Sequence, residues 1–374
     1  MAVVGAGISG LSTAYRLKKN GNDVTIFEAS SKTGGKIGQV YCEGLTLDLG
    51  PVTISETPAL SGLISELNLK VVTPSDATSI RYIFSKGKLH RVSPKLITSS
   101  LLSFTGKLSM LRALVTSKSG KDESVAAYAR RRFGEQAYQR LFNPMMNGIY
   151  AGNAELLSAH SVIKKRGPRK IISLEGGIKS LTDALAAKLH GLILTGTTID
   201  DFSRFDKVHL TTPAFATAGL IKNLDGDLAD KLASVHYSSV SQIYCEIVPG
   251  ASRFDGFGFL VPSEEKLSLL GAISVSNIFP SKVPEGRMLF VLFCGGDRPY
   301  PFTPSIESAV SEFSDILKPA LTRVLRVQEW KRAIPQFYVG HNKILDQIGQ
   351  FEKRHPNIKI TGNYVTGVAV GDCI

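Results

Sequence analysis

Apolar and polar positions change rhythm repeatedly within the opening segment "AVVGAGISGLSTAYRLKKNGNDVTIFEAS". Ala2-Val3-Val4 is a continuous apolar run, the pattern of a strand covered on both faces. Leu11, Ala14, Tyr15 and Leu17 then recur at helical spacing up to Lys19, and Gly21 stops that helix. Asp23 to Phe27 returns to a strand pattern, which ends at Glu28. Strand, helix, strand with short connections is how a parallel α/β sheet begins.

Further along, "ETPALSGLISELNL" predicts a helix and Lys70-Val71-Val72 a short strand. "SIRYIFSKGKLHRV" alternates as a hairpin does, turning at Lys86-Gly87-Lys88. From Pro94 to about Ala154 the period becomes helical, with Lys95, Lys107, Arg112 and Lys118 set among apolar positions. A second helical run is predicted to end before Pro144. "ISLEGGIKSLTDALAAKL" predicts a glycine turn and a helix, and Val208 to Thr212 a further central strand. From Val235 to about Gln328 β-type segments dominate, with one helix expected from Ser305 to Val324. "NIKITGNYVTGVAVGDCI" reads as a strand followed by a glycine-rich turn that opens a helix.

Gly5-Ala6-Gly7-Ile8-Ser9-Gly10 is a G-x-G-x-x-G turn set between strand and helix. Gly5 permits the tight turn, Gly7 lets a pyrophosphate approach the backbone, and Gly10 brings helix and strand together. The helix start at Ile8 and Ser9 offers free N–H groups and partial positive charge to phosphates. Glu28 stands where a carboxylate accepts ribose hydroxyls and repels a 2′-phosphate, so the pattern predicts dinucleotide binding and argues against NADP. Thr212 is expected at the carboxyl end of its strand, beside the cofactor crevice. The predicted fold is α/β. A Rossmann-type dinucleotide domain comprises 1–78, 171–235 and 345–374, a helical insertion covers 92–170, and a β-rich substrate domain comprises 79–91 and 236–344.

Gly34-Gly35 follows soon after Glu28, flanked by Lys32 and Lys36, and predicts a second loop over the same cofactor. With Glu28 this resembles the E-x-x-x-R-x-G-G-R signature of FAD-dependent, amine-oxidase-like flavoproteins, with lysine at both arginine positions. Lysine keeps the charge but loses the bidentate fork. Four separated stretches narrow the resemblance: "RRFGEQAYQRLFNPMMNGIYAGNAELLS", "SLEGGIKSLTDAL", "WKRAIPQFYVGH" and "GNYVTGVAVGDCI". Together they are similar to the protoporphyrinogen and coproporphyrinogen oxidase family. The resemblance implies FAD as cofactor, with Gly50, Pro51 and Thr53 of "LGPVTISE" and Gly362 and Val368 of the closing stretch among its contacts. It also implies a further helix beyond Cys373-Ile374.

Composition changes the picture in two places. Hydrophobic residues are 43% and aromatic residues 8% of the 374, enough for a sizeable core. Four scattered cysteines show neither metal-ligand nor disulfide spacing, so no metal and a reducing, cytoplasmic setting are expected. The first strand begins at residue 2, so no signal or transit segment is expected, and no apolar stretch is long enough to span a bilayer. The net charge of +12 comes without an aromatic-interleaved basic motif, which argues against nucleic acid and for an anionic substrate or an anionic membrane surface under the helical insertion.

On the resemblance, the substrate is an anionic, non-aromatic tetrapyrrole that loses six electrons by hydride transfers to flavin, with molecular oxygen as acceptor and hydrogen peroxide as by-product. No catalytic side chain is assigned, because the flavin carries the chemistry. Arg81 is the candidate propionate ligand, and Asn147 and Gly148 are candidate pocket residues. His341 is expected to be structural, and Phe259 and Leu260 to pack the core. Three alternatives stay open: coproporphyrinogen III as substrate, a flavin amine oxidase, and a degenerate flavin-binding protein.

Overall fold

The computed structural model describes residues 1–92, 101–116, 122–163, 170–199, 201–251 and 253–374. The expected start of the helical insertion at Pro94, and Lys95 and Lys118 within it, lie outside the described residues.

Strands are numbered β1–β17 in chain order. The opening motif builds a five-stranded parallel sheet of β1 (Ala2–Val4), β2 (Thr25–Glu28), β10 (Ile193–Thr195), β11 (Val208–Leu210) and β17 (Ile358–Ile360), ordered β10-β2-β1-β11-β17. All four pairings are parallel, and Ala2 faces both Thr25 and Val208. β1 is buried along its whole length, as its unbroken apolar run requires. Helix α1 (Ile8–Lys19) packs so closely behind it that a Cβ on Gly10 would lie 1.8 Å from the Gly5 carbonyl oxygen.

A seven-stranded mixed sheet follows the order β16-β12-β15-β14-β13-β7-β8. It comprises β7 (Arg81–Ser85), β8 (Lys88–Val92), β12 (Tyr237–Val248), β13 (Gly258–Leu260), β14 (Leu269–Ser274), β15 (Met288–Gly295) and β16 (Leu321–Pro335). Its pairings are antiparallel except β13 with β7. The hairpin β3 (Gly38–Cys42) and β4 (Leu45–Leu49) and a small sheet of β5 (Ile54–Ser55), β6 (Val71–Val72) and β9 (Ile171–Leu174) complete the strands.

Asp48 on β4 joins these layers. Its carboxylate pairs with Lys282, both almost wholly buried, and accepts from the Ile178 N–H (2.7 Å), while Tyr244 Oη of β12 donates to its carbonyl (2.5 Å).

Two expectations are corrected. The helix expected over Ser305–Val324 covers Ile306–Leu317, capped by Ser305, which accepts from Ser308 N (3.1 Å). Lys318 turns left-handed (φ 49°), Pro319 follows, and the alternating, β-branched stretch beyond it pairs with β12 as the long strand β16. The helical run does not stop before Pro144. A π-helical turn at Tyr138–Phe142 hands the chain on to a helix over Asn143–Tyr150, whose first turn holds Pro144, where a missing N–H costs nothing. In the closing segment the glycine-rich turn leads into one 3-10 turn, Val370–Asp372. Among the described residues, no helix is long and apolar enough to cross a membrane.

Candidate active site

A cavity of ≈ 1450 Å³ runs between the parallel sheet, the mixed sheet and the helical segment. From the first come Gly5, Gly7, Ile8, Ser9, Glu28, Thr197, Thr198 and Thr212; from the loops, Gly34, Gly35, Lys36, Gly50, Pro51, Thr53 and Val368. The mixed sheet contributes Arg81, Gln242, Phe259, Leu260, Trp330 and Ala333, and the helical segment Met110, Phe142, Met145, Asn147, Gly148 and Ile149. Three predicted cofactor residues do not line it. Gly10 sits behind the turn, in the packing role expected of it. Gly362 (φ 136°) supports the wall from behind, where a Cβ would stand 3.5 Å from the Thr212 carbonyl oxygen. Lys32 is corrected: it is exposed, its carbonyl accepting from Ser30 Oγ (2.6 Å), and of the two flanking lysines only Lys36 reaches the cavity.

The two glycine loops are one structure. Gly34 N donates to the Ala6 carbonyl (2.8 Å), Gly7 and Gly34 form a bridge, and a Cβ on Gly35 would press on Gly7 Cα at 3.1 Å. Glu28 fastens the first loop from below. Its Oε2 accepts from Ala6 N (2.6 Å), and its Oε1 from Ser30 N (2.9 Å) and Ser30 Oγ (2.7 Å). Those bonds use three of about four acceptor sites on a carboxylate, which leaves one for a ligand hydroxyl. No side chain caps the N-terminus of α1, so its first-turn N–H groups are open beside a wall made mostly of backbone. An uncapped helix start, a side-chain-free cradle and a carboxylate with one free acceptor site fit a dinucleotide.

Charged groups are sparse. Among the described lining residues Glu28 is the one acid, and Lys36 and Arg81 are the two cations. Lys36 Nζ donates to the Ala333 carbonyl (2.5 Å) and lies over the Tyr237 ring at 5.0 Å. With no carboxylate facing it, burial pushes its pKa down to about 8. Arg81 stacks on Phe257 at 5.1 Å and has no carboxylate partner among the described residues. Asn147 is buried. With its amide oriented to satisfy both ends, it accepts from Ser263 Oγ (3.1 Å) and Arg298 Nη1 (3.2 Å) and donates to the Gly152 carbonyl (3.3 Å), so its side chain is spent on the scaffold. Gly148 lets the helix approach β13, since a Cβ there would meet Leu260 Cδ2 at 2.5 Å. Phe259 packs on Phe313 in the core while bordering the cavity. His341 is buried and shares a hydrogen bond with the Tyr364 carbonyl (2.8 Å), away from the cavity.

Residues 8–374 match the family described as flavin containing amine oxidoreductase. The chain belongs to that family. Its cofactor is FAD, and it is an FAD-dependent oxidoreductase. The chloroplastic protoporphyrinogen oxidase of Nicotiana tabacum is 26% identical over 453 aligned positions, which take in 100% of this chain and 83% of the relative. The coproporphyrinogen III oxidase of Bacillus subtilis (strain 168) is 23% identical, across 100% of this chain and 95% of the relative. A crystal structure from Exiguobacterium sp. 255-15 superposes with a TM-score of 0.80 at 22% identity, covering 100% of this chain and 95% of that one, which shows a shared fold. When bound, the flavin supplies the hydride-accepting centre.

Gln242 and Trp330 are among the cavity residues that the sequence reading did not single out. Trp330 had a signal, since it is the only tryptophan and opens the "WKRAIPQFYVGH" stretch. Gln242 had none. Gln336 of that stretch proves structural, donating to the Tyr150 carbonyl (2.9 Å) and to Ser238 Oγ (3.1 Å) and so tying the helical segment to β12.

Proposed function

We propose that this chain oxidises protoporphyrinogen IX to protoporphyrin IX. Six electrons and six protons leave the substrate, and three molecules of dioxygen become three of hydrogen peroxide. Relatives that carry the names protoporphyrinogen oxidase and coproporphyrinogen III oxidase support a tetrapyrrole substrate. The observation that carries the choice between them is the charge of the cavity wall. Apart from Lys36, which stands in the glycine loops, Arg81, stacked on Phe257, is the one cation among the described lining residues, and the same wall holds Phe259, Leu260, Met145 and Ile149. An apolar wall with one guanidinium suits a substrate with two propionates and apolar vinyl edges. Four propionates would leave three without a cation among the described lining residues outside the glycine loops.

In this reading Arg81 grips a propionate, for which a guanidinium fork is well shaped. The backbone at Asn147 and Gly148 borders the macrocycle, and the aromatic and aliphatic wall excludes water from the reacting face. No side chain is assigned a proton, since the macrocycle tautomerises and releases pyrrole protons to solvent.

A peripheral membrane position belongs to the same proposal. The helices Phe104–Met110 and Arg112–Val115 and the Leu111 that joins them expose Phe104, Leu108, Leu111, Leu114 and Val115, with Lys107 and Arg112 among them, and Met110 lines the cavity. Apolar side chains with basic neighbours at a cavity mouth suit an anionic bilayer surface and a poorly soluble product.

The test is anaerobic stopped-flow mixing of the FAD-loaded protein with protoporphyrinogen IX and, separately, coproporphyrinogen III, followed by flavin absorbance. Fast bleaching with the first and slow bleaching with the second is expected. The reverse order would transfer the assignment to coproporphyrinogen. Bleaching with neither would remove tetrapyrroles altogether.

A further inference from the structure

Gln242 brings a partly used amide to the cavity wall. It is 2% exposed, and its Oε1 accepts from Gly50 N (2.8 Å) and from Trp330 Nε1 (3.0 Å), while its Nε2 donates to the Gly50 carbonyl (2.7 Å). A carboxamide offers two acceptor lone pairs and two N–H donors. Both lone pairs are therefore taken, and one donor is left without a partner among the described residues. Leaving a buried donor unpaired is costly, so a group of this kind is one that a ligand would satisfy.

The surroundings point the same way. Val240, Gln242 and Tyr244 share one face of β12 by strand alternation, and Val240 also lines the cavity. Tyr244 holds the Asp48 carbonyl and Gln242 holds both backbone groups of Gly50, so this face makes three hydrogen bonds to the 48–50 segment. Gly50 itself has φ 92°, and a Cβ there would lie 2.1 Å from the Lys36 carbonyl oxygen. The turn is clamped between the second glycine loop on one side and Gln242 on the other. Glu28 marks the ribose end of a bound dinucleotide and the start of α1 its phosphates. The part of the cavity bordered by Gly50, Gln242, Trp330 and Ala333 adjoins the second glycine loop, since Lys36 Nζ donates to the Ala333 carbonyl.

We propose that Gln242 is a cofactor-positioning residue supplied by the mixed sheet: it fixes the Gly50–Thr53 turn and the Trp330 indole, and it gives its remaining N–H to a ring carbonyl or nitrogen of FAD. The proposal rests on the flavin assignment and adds to it a binding contribution from outside the glycine loops. It also gives the chain's lone tryptophan a place beside the ring.

Two variants test it. Gln242→Met keeps the length and removes every hydrogen bond. Gln242→Glu keeps the two acceptor bonds and removes only the donors. Each is expected to raise the FAD dissociation constant roughly tenfold, the equivalent of one lost hydrogen bond, and to move the visible absorption band of the bound flavin. A general loss of stability would not move that band. A variant that melts like the wild type, binds FAD with wild-type affinity and keeps the band unmoved overturns the proposal while leaving FAD binding itself intact.

If neither variant folds, the wild-type protein decides. Its single tryptophan gives one indole N–H resonance, which is expected to shift strongly on FAD addition. An unmoved resonance in FAD-loaded protein overturns the proposal. Protein that takes up no FAD at all sinks the flavin assignment and this proposal with it.

Discussion

Lys36 is expected to make flavin retention sensitive to alkali, with a size of effect that follows from its surroundings. The ammonium is buried against the Tyr237 ring and the Ala333 carbonyl, and burial lowers its pKa to about 8. Tyr237 is itself pushed up to about 12 by burial, so it stays neutral across the range that matters. At pH 7 most molecules carry the charge, whereas at pH 9 about one in ten does. If only the charged form engages the cofactor's phosphates, FAD affinity falls roughly tenfold between pH 7 and 9, about 1.4 kcal/mol. Stability of the FAD-free protein moves the other way. The folded pKa lies below the ordinary lysine value of about 10.4, so between the two values the unfolded chain holds a proton that the folded chain has lost. Stability therefore rises as pH climbs through that window, recovering on the order of 3 kcal/mol that the buried charge costs at pH 7. The assay is a flavin-fluorescence titration at pH 7, 8 and 9 for wild type, Lys36→Arg and Lys36→Met. Arginine stays charged and should bind equally at all three pH values, while methionine should bind weakly and without pH dependence. A wild-type affinity that is flat from pH 7 to 9, or an arginine variant that falls in step with it, would refute the reasoning.

Three further outcomes are expected. Lys282→Met strands the buried Asp48 carboxylate and should destabilise the protein by roughly 3–5 kcal/mol in denaturant unfolding, with Asp48→Asn on top recovering part of the loss; wild-type stability in the single variant would contradict this. Arg81→Ala should raise KM for the porphyrinogen tenfold to about a hundredfold, the value of a charge-assisted hydrogen bond, with FAD affinity unchanged; an unchanged KM would remove Arg81 from the substrate site. Leu114→Ser with Val115→Ser, at positions 83% and 86% exposed, should cut co-sedimentation with anionic vesicles by more than about tenfold while activity on detergent-dispersed substrate holds; equal co-sedimentation would detach these helices from any membrane role.

What the sequence determined by itself was local. The G-x-G-x-x-G turn, the strand and helix around it and Glu28 are readable because each depends on residues a few positions apart, and the steric demands on Gly5 and Gly10 act within one βαβ unit. The hairpin at Lys86-Gly87-Lys88 was legible for the same reason. Where two local signals competed, periodicity misled. The stretch after Leu317 could continue a helix by apolar spacing, and only pairing with β12 made it β16. Lys32 and Lys36 looked equivalent, and only the turn between the loops sent one outward and buried the other. The clamp on Gly50 was beyond reach of the chain text, since Gln242 and Trp330 lie far from Gly50 in sequence and meet only when the sheets pack. Hydrogen bonds between distant elements leave no period and no spacing to read. They are decided by how the layers pack, and in this protein that packing brings the glycine loops and the cavity's apolar wall together.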